Sequence, residues 1–315
     1  MISMATENQV SKSYKSIFLI FLAAFVGGGV GALAKISLEE IPPLSFTLLR
    51  FLLATFVLLP FVIKRKEFHF SNLKKIVLVS LLATANVTLF IFGVERTTAT
   101  ISQMLYAGVP LIAGIFSFIL LKEKVYPRKL CGILIGFVGV ILIVLLPVLG
   151  KGVAFNGDLL GNLIILVAVC SFALYSVLSK QFQKEYTPLE LTMFFVFTTT
   201  FIQLLLMPLD LVQNQNWWSE ISLKSILGIA YVGILGTGLY YLIYQYAIKN
   251  TTPIIASMIL YLQPVFAFLW AAVLLGEKIT PEFMAGAILA FIGVALVTNF
   301  GRPEIKKEFA AKEQN

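Results

Sequence analysis

"LLKEKVYPRKLCG" (Leu120–Gly132) is written again as "LLGEKITPEFMAG" (Leu274–Gly286). Glu-Lys, Pro and Gly keep their spacing, but the second copy has lost most of its positive charge. The match runs outward from there. Gly93 to Val140 lies on Ala247 to Val294 without a gap, at an offset of 154 residues that pairs Thr97 with Thr251, Met104 with Met258, Pro110 with Pro264, Gly132 with Gly286 and Gly139 with Gly293. Further upstream, "LAKISLEEIPPL" (Leu33–Leu44) answers "LSKQFQKEYTPL" (Leu178–Leu189) at an offset of 145. A fixed internal period is the mark of a repeated structural unit. The nine residues of difference fall near "NQNWWSE" (Asn214–Glu220) in the second copy.

The unit is a set of membrane helices. Of 315 residues, 59% are hydrophobic and only 13% charged, with a mean hydropathy of +0.92, far from an average globular domain. Runs of about twenty apolar residues, each enough to cross roughly 30 Å of hydrocarbon as a helix, occur at Ile17–Ala34, Pro43–Ile63, Leu73–Gly93, Thr98–Leu121, Arg128–Leu146, Asp158–Ser179, Pro188–Leu209, Lys224–Ile248, Pro253–Gly276 and Pro281–Asn299. This predicts an all-α polytopic membrane protein of ten helices: a tail at 1–16, a first repeat at 17–147, a second at 158–299 and a tail at 300–315. Lys12, Lys15 and the "ALA" at Ala32–Ala34 give the first segment some look of a signal peptide. Its counterpart at offset 145 argues instead that it belongs to the repeat.

Five helices per unit is an odd number, so the second unit enters the membrane from the opposite side and the repeats are inverted. Paired loops then face opposite compartments, and the Lys/Arg bias flips between them. Lys64, Arg65, Lys66, Lys74 and Lys75 between segments two and three are answered only by Lys224 between seven and eight. With the N-terminus inside, eighteen of the 24 Lys and Arg residues are inner and five outer, and Arg50 lies within the membrane. Both termini are expected in the cytoplasm, with the protein in the cell membrane. The net charge of +8 is thereby a topology signal, and no nucleic-acid partner is expected.

Two similar bundles of opposite orientation can exchange conformations around a site at their interface, which is how secondary transporters work. The ten segments in two repeats, the Arg in "LLRFLLA" (Leu48–Ala54), "TTATISQMLYAGVP" (Thr97–Pro110) and "GEKITPEFMAGAILAFIGVALV" (Gly276–Val297) resemble the EamA family of the drug/metabolite transporter superfamily. The resemblance covers nearly the whole chain. It implies two EamA-type repeats, peripheral fifth and tenth helices, and a cavity lined mainly by helices one, three, four, six, eight and nine. It also implies secondary transport, often outward, of an amino acid, another metabolite or a drug. A lipid-handling membrane protein and a non-transporting scaffold or receptor are the alternatives, the second without a tail long enough for signalling.

Polar side chains inside hydrocarbon point to protein-facing or water-filled space. In segment eight Thr237, Tyr240, Tyr241 and Tyr244 recur at i, i+3, i+4 and i+7, which on a regular helix is one stripe. Ser257 and Tyr261 do the same in segment nine, and Asn86, Gln103 and Tyr106 face them from the first repeat. Hydroxyls and rings from one half and amides from the other suit a substrate with an apolar or aromatic body and a few hydrogen-bonding groups. The same tyrosines could equally be hydrogen-bonded packing between helices. Arg50 sits about 12 Å along segment two, where it can meet a substrate carboxylate or serve the structure by holding helix ends. Gly27, Gly28, Gly29 and Gly31 allow close packing of segment one, or a hinge in it.

The acids, Glu190 and Asp210 included, lie in tails, loops or helix ends, so no buried carboxylate is available as a proton relay. One histidine (His69), two separate cysteines (Cys131 and Cys170) and no Walker glycine loop leave no metal cluster, disulfide scaffold or nucleotide site, and no cofactor is expected. The inventory supplies no acid/base constellation for an enzyme. The expected partners are a small-molecule substrate and the lipid bilayer, and nothing in the sequence sets an oligomeric state.

Overall fold

Proline opens six of the helices, where its missing N–H costs nothing and its fixed φ suits the first turn. The structure, a computed structural model, describes residues 2–65, 72–96, 105–123, 125–149, 159–213, 216–275 and 281–299. These form α1 (Ile2–Leu38), α2 (Pro43–Arg65), α3 (Leu73–Arg96), α4 (Val109–Leu121), α5 (Pro127–Leu149), α6 (Leu159–Phe182), α7 (Pro188–Leu206), α8 (Pro208–Gln213), α9 (Leu223–Gly233), α10 (Tyr240–Asn250), α11 (Pro253–Ser257), α12 (Ile259–Leu275) and α13 (Pro281–Asn299), with no strand among the described residues. Side chains cap several helix starts: Thr187 and Glu190 form a reciprocal capping box on α7, Ser222 caps α9 and Thr252 caps α11.

Among the described residues, seven spans are long and apolar enough to cross a membrane: Phe18–Leu38, Pro43–Lys64, Leu73–Gly93, Leu159–Phe182, Pro188–Val212, Leu223–Asn250 and Pro253–Trp270. Val109–Leu121 and Met284–Thr298 are shorter apolar helices. At 13 residues, α4 covers only about 20 Å, and the rest of segment four, 97–104, lies outside the described residues. Large apolar side chains such as Phe18, Phe56, Val167 and Phe201 point outward and exposed, a surface that suits lipid.

Three departures from uniform helices stand out. α1 begins at Ile2, because no Gly or Pro interrupts the sequence before Gly27, so the expected tail is continuous with the first helix. Segment nine is broken after Ser257. Segment eight passes from α9 to α10 through a π turn, Ile234–Leu239, across "GILGTGL", where Gly233, Gly236 and Gly238 relax the backbone. Its repeat counterpart, residues 80–85 of α3, is regular α-helix.

The main helix pairings are unchanged when the halves are exchanged. α3 packs on α6 as α9 and α10 pack on α1; α1 packs on α12 as α6 packs on α4; α3 packs on α7 as α9 and the π turn pack on α2. The pairs α2–α7, α4–α11 and α5–α13 map onto themselves. α5 and α13 meet along a glycine seam: a Cβ on Gly139 would stand 2.5 Å from Ala290 N and 2.7 Å from Gly286 O, and one on Gly293 would stand 2.5 Å from Gly136 Cα. Only glycine allows that approach.

Each end of the molecule carries a matching tie between halves. The Glu40 carboxylate, after α1, accepts from the Ser222 N–H at the start of α9 at 2.7 Å. Its repeat partner Glu185, after α6, accepts from the Asn72 amide at the start of α3 at 2.9 Å. Ile41, Phe46, Ile229 and Val232 are buried beside the first tie; Ile76, Tyr186, Leu191 and Phe194 are buried beside the second.

Candidate functional site

Between the halves lies a cavity of about 170 Å³. Its described lining comes from α1 (Gly27, Val30), α2 (Arg50), α3 (Asn86, Val87, Phe90, Ile91), the turn before α4 (Tyr106), α6 (Phe172), the π turn (Gly236), α10 (Tyr240, Tyr241) and α12 (Leu260, Gln263). No described residue of α5 or α13 contributes to it.

Arg50 is half-buried. Its Nε donates to Thr237 Oγ1 at 3.1 Å, its Cζ stands 5.1 Å from the Phe51 ring centre, and the Tyr241 hydroxyl lies within its reach. Thr237 is held in turn: its hydroxyl donates to Val232 O, five residues back, at 2.8 Å, an acceptor that the wide turn brings into range. Opposite, Asn86 commits both hydrogens of its amide, one to the Tyr106 hydroxyl oxygen and one to Ala168 O at 2.8 Å. The Tyr106 ring stands edge-on to Phe90 with centres 5.2 Å apart. Gln263 donates to Gly27 O at 3.2 Å and faces the Tyr240 hydroxyl at 3.5 Å. The Tyr240 and Tyr241 rings are perpendicular at 5.2 Å, and Tyr241 packs edge-on against Phe195 at 4.7 Å.

Of the residues expected at the site, the cavity takes Arg50, Asn86, Tyr106, Tyr240, Tyr241 and Gly27. Thr237 lies behind it as the support of Arg50. Tyr244 is buried and turned to α6, sharing a 2.8 Å bond with Ser176 and stacking on Phe172 at 5.3 Å. Ser257 bonds to its own helix at Ile254 O. Tyr261 presses its ring on Gly136, and its buried hydroxyl has no hydrogen-bond partner among the described residues. Gln103 lies outside the described residues. Gly28 abuts the Phe266–Ala267 backbone, Gly29 meets the Tyr231 hydroxyl and Gly31 is open, within an α1 that is helical from end to end. Gln263 was not among the expected residues. Its amide within an apolar segment is the same kind of signal that marked Asn86.

The acids nearest the membrane core are occupied as caps: Glu190 in the box on Thr187, and Asp210 accepting from the Ser45 N–H in the first turn of α2 at 2.6 Å.

Residues 14–145 and 159–299 each match the model of the EamA-like transporter family. An uncharacterized transporter of Clostridium kluyveri is 26% identical over 257 residues, spanning 80% of this chain and 82% of that one. The uncharacterized transporter YetK of Bacillus subtilis is 29% identical over 282 residues (87% and 81%). The uncharacterized inner membrane transporter YedA of Escherichia coli is 27% identical over 284 residues (89% of each). A solved protein structure of 18% sequence identity superposes with a TM-score of 0.76, covering 92% of this chain and 98% of that chain, so the fold is shared.

Proposed function

The chain belongs to the EamA-like transporter family, and from that premise we propose that it is a secondary transporter that exports or exchanges a small organic metabolite by alternating access between inverted five-helix repeats. Ten crossings, with both termini in the cytoplasm and the chain in the cell membrane, complete the reading. The observation that carries it is the cavity at the seam between halves, lined by side chains from both and by rings and hydrogen-bonding groups in about equal measure. Its size, about 170 Å³, is below the roughly 300–1,000 Å³ of drug-sized pockets and favours a small metabolite. With its central acids engaged as helix caps, the chain is read as working without an intramembrane carboxylate relay.

Metabolite profiling of cells with and without the protein identifies the cargo, and counterflow in proteoliposomes then tests the site. Asn86→Ala and Tyr241→Phe are expected to lower counterflow several-fold at unchanged protein level, while the peripheral Ile288→Val leaves it intact. Equal counterflow in all three would remove the cavity from the transport path.

A further inference from the structure

The cavity's charge and its hydrogen-bond polarity narrow the cargo. This step rests on the cavity being the transport site. Among the described residues no carboxylate pairs with Arg50, whose contacts are the Thr237 hydroxyl, the Phe51 ring and Tyr241. The adjoining stretch Thr97–Met104 contains no acid either. A guanidinium at membrane depth with no counter-charge is expensive, and a bound anion would supply what the protein withholds.

Arg50 spends Nε on Thr237, which leaves the four N–H groups of its two terminal nitrogens to serve Tyr241 and a carboxylate, the partner such a fork binds through two parallel hydrogen bonds. The hydroxyl of Tyr106 accepts from Asn86, so its own proton is available to donate. The Tyr241 hydroxyl lies beside the guanidinium. The acceptors of the lining, the side-chain carbonyls of Asn86 and Gln263, are neutral, and the cavity's one formal charge among the described residues is positive. Phe90, Phe172, Val87 and Ile91 supply the apolar wall.

We infer that the cargo is a small monocarboxylate with an apolar or aromatic body, held by Arg50 and Tyr106, and that a zwitterionic amino acid of the same shape is disfavoured because its ammonium finds no counter-charge.

The test uses the purified full chain in lipid nanodiscs and two matched trios of ligands: phenylacetate, phenylacetamide and phenylglycine; butanoate, butanamide and 2-aminobutanoate. Titration calorimetry is expected to show, in at least one trio, the carboxylate binding tenfold or more tightly than both companions. Arg50→Gln should abolish that preference and Arg50→Lys retain part of it. Tyr106→Phe, which leaves the Arg50–Thr237 bond untouched, should weaken carboxylate binding several-fold, so the inference stays testable even if Arg50→Gln does not fold. An amide or amino acid that binds as tightly as the carboxylate overturns the inference, as does a preference that survives Arg50→Gln, or the absence of carboxylate binding in both trios. If such an amide or amino acid loses affinity in Asn86→Ala or Tyr241→Phe, only the anion assignment falls and the cavity stands as the site. If no ligand responds to any cavity substitution, the cavity reading falls with it.

Discussion

At the level of single side chains, the tyrosines of segment eight separate into two kinds. Tyr241 faces the cavity beside Arg50, whereas Tyr244, one turn on, is fully buried and donates to Ser176, whose own hydroxyl is committed to Phe172 O. Removing one buried hydrogen bond costs on the order of 1 kcal/mol, so Tyr244→Phe should lower thermal stability by about that amount and leave transport per folded molecule unchanged. Tyr241→Phe should do the reverse: little effect on stability and a several-fold loss of counterflow. Paired thermal-unfolding and counterflow assays on both variants check the split, and identical behaviour of the two would contradict it. The sequence could not make this distinction, because spacing along a helix does not say where a cavity ends along it: Tyr240, Tyr241 and Tyr244 all lie on the regular α10, and Tyr244 meets Ser176 of α6. The π turn at Ile234–Leu239 affects only Thr237, which lies within it and behind the cavity. Arg50 was legible as an oddity, a lone cation in an apolar helix, but its direction required the fold. Gln263 is an oddity of the same kind, an amide in an apolar segment.

Among the elements, the glycine seam of α5 and α13 gives the clearest expectation. Gly132 and Gly286, and Gly139 and Gly293, are repeat-equivalent pairs, and across the seam they meet crosswise, Gly132 against Gly293 and Gly139 against Gly286. A methyl group on Gly293 falls 2.5 Å from both the N and Cα of Gly136, backbone atoms that cannot swing aside. Overpacking of this kind costs about 1–3 kcal/mol. Gly293→Ala should therefore lower the unfolding temperature clearly while ligand affinity at the cavity, to which no described residue of either helix contributes, stays the same; a shift in affinity as large as the loss of stability would contradict this. Helix existence and order were largely readable from apolar runs and N-terminal prolines. The broken segment nine and the π turn were not, since they follow from how glycine- and proline-bearing stretches settle against neighbours.

For the whole molecule, the two carboxylate ties make predictions of opposite sign. Glu40 holds the start of α9 and Glu185 the start of α3, and in the expected topology they lie on the outer and inner faces. Glu40→Gln should favour opening to the outside and Glu185→Gln to the inside. The measure is labelling of a Val30→Cys variant, with Cys131 and Cys170 replaced by Ser, by a membrane-impermeant thiol reagent added outside: faster in the first, slower in the second. Changes in the same direction would rule out a rocking exchange of the halves. Glu40 is held below its ordinary pKa of 4.5 first by the Ser222 N–H and then by the Ser225 and Ser222 hydroxyls. A carboxyl lowered on folding stabilises above its unfolded value and loses that contribution as pH falls through the folded one, so the outer tie should hold at neutral pH and release only below about pH 4.5. One asymmetry in this balanced design remains. A carrier with identical halves would have two degenerate end states, equally populated when empty. The π turn has no counterpart at residues 80–85 of α3, so under the proposed alternating access the two end states should strain it differently and lift the degeneracy. About 1.4 kcal/mol of difference is already a tenfold ratio, so under the proposed alternating access the empty protein should rest in one orientation before any gradient acts on it.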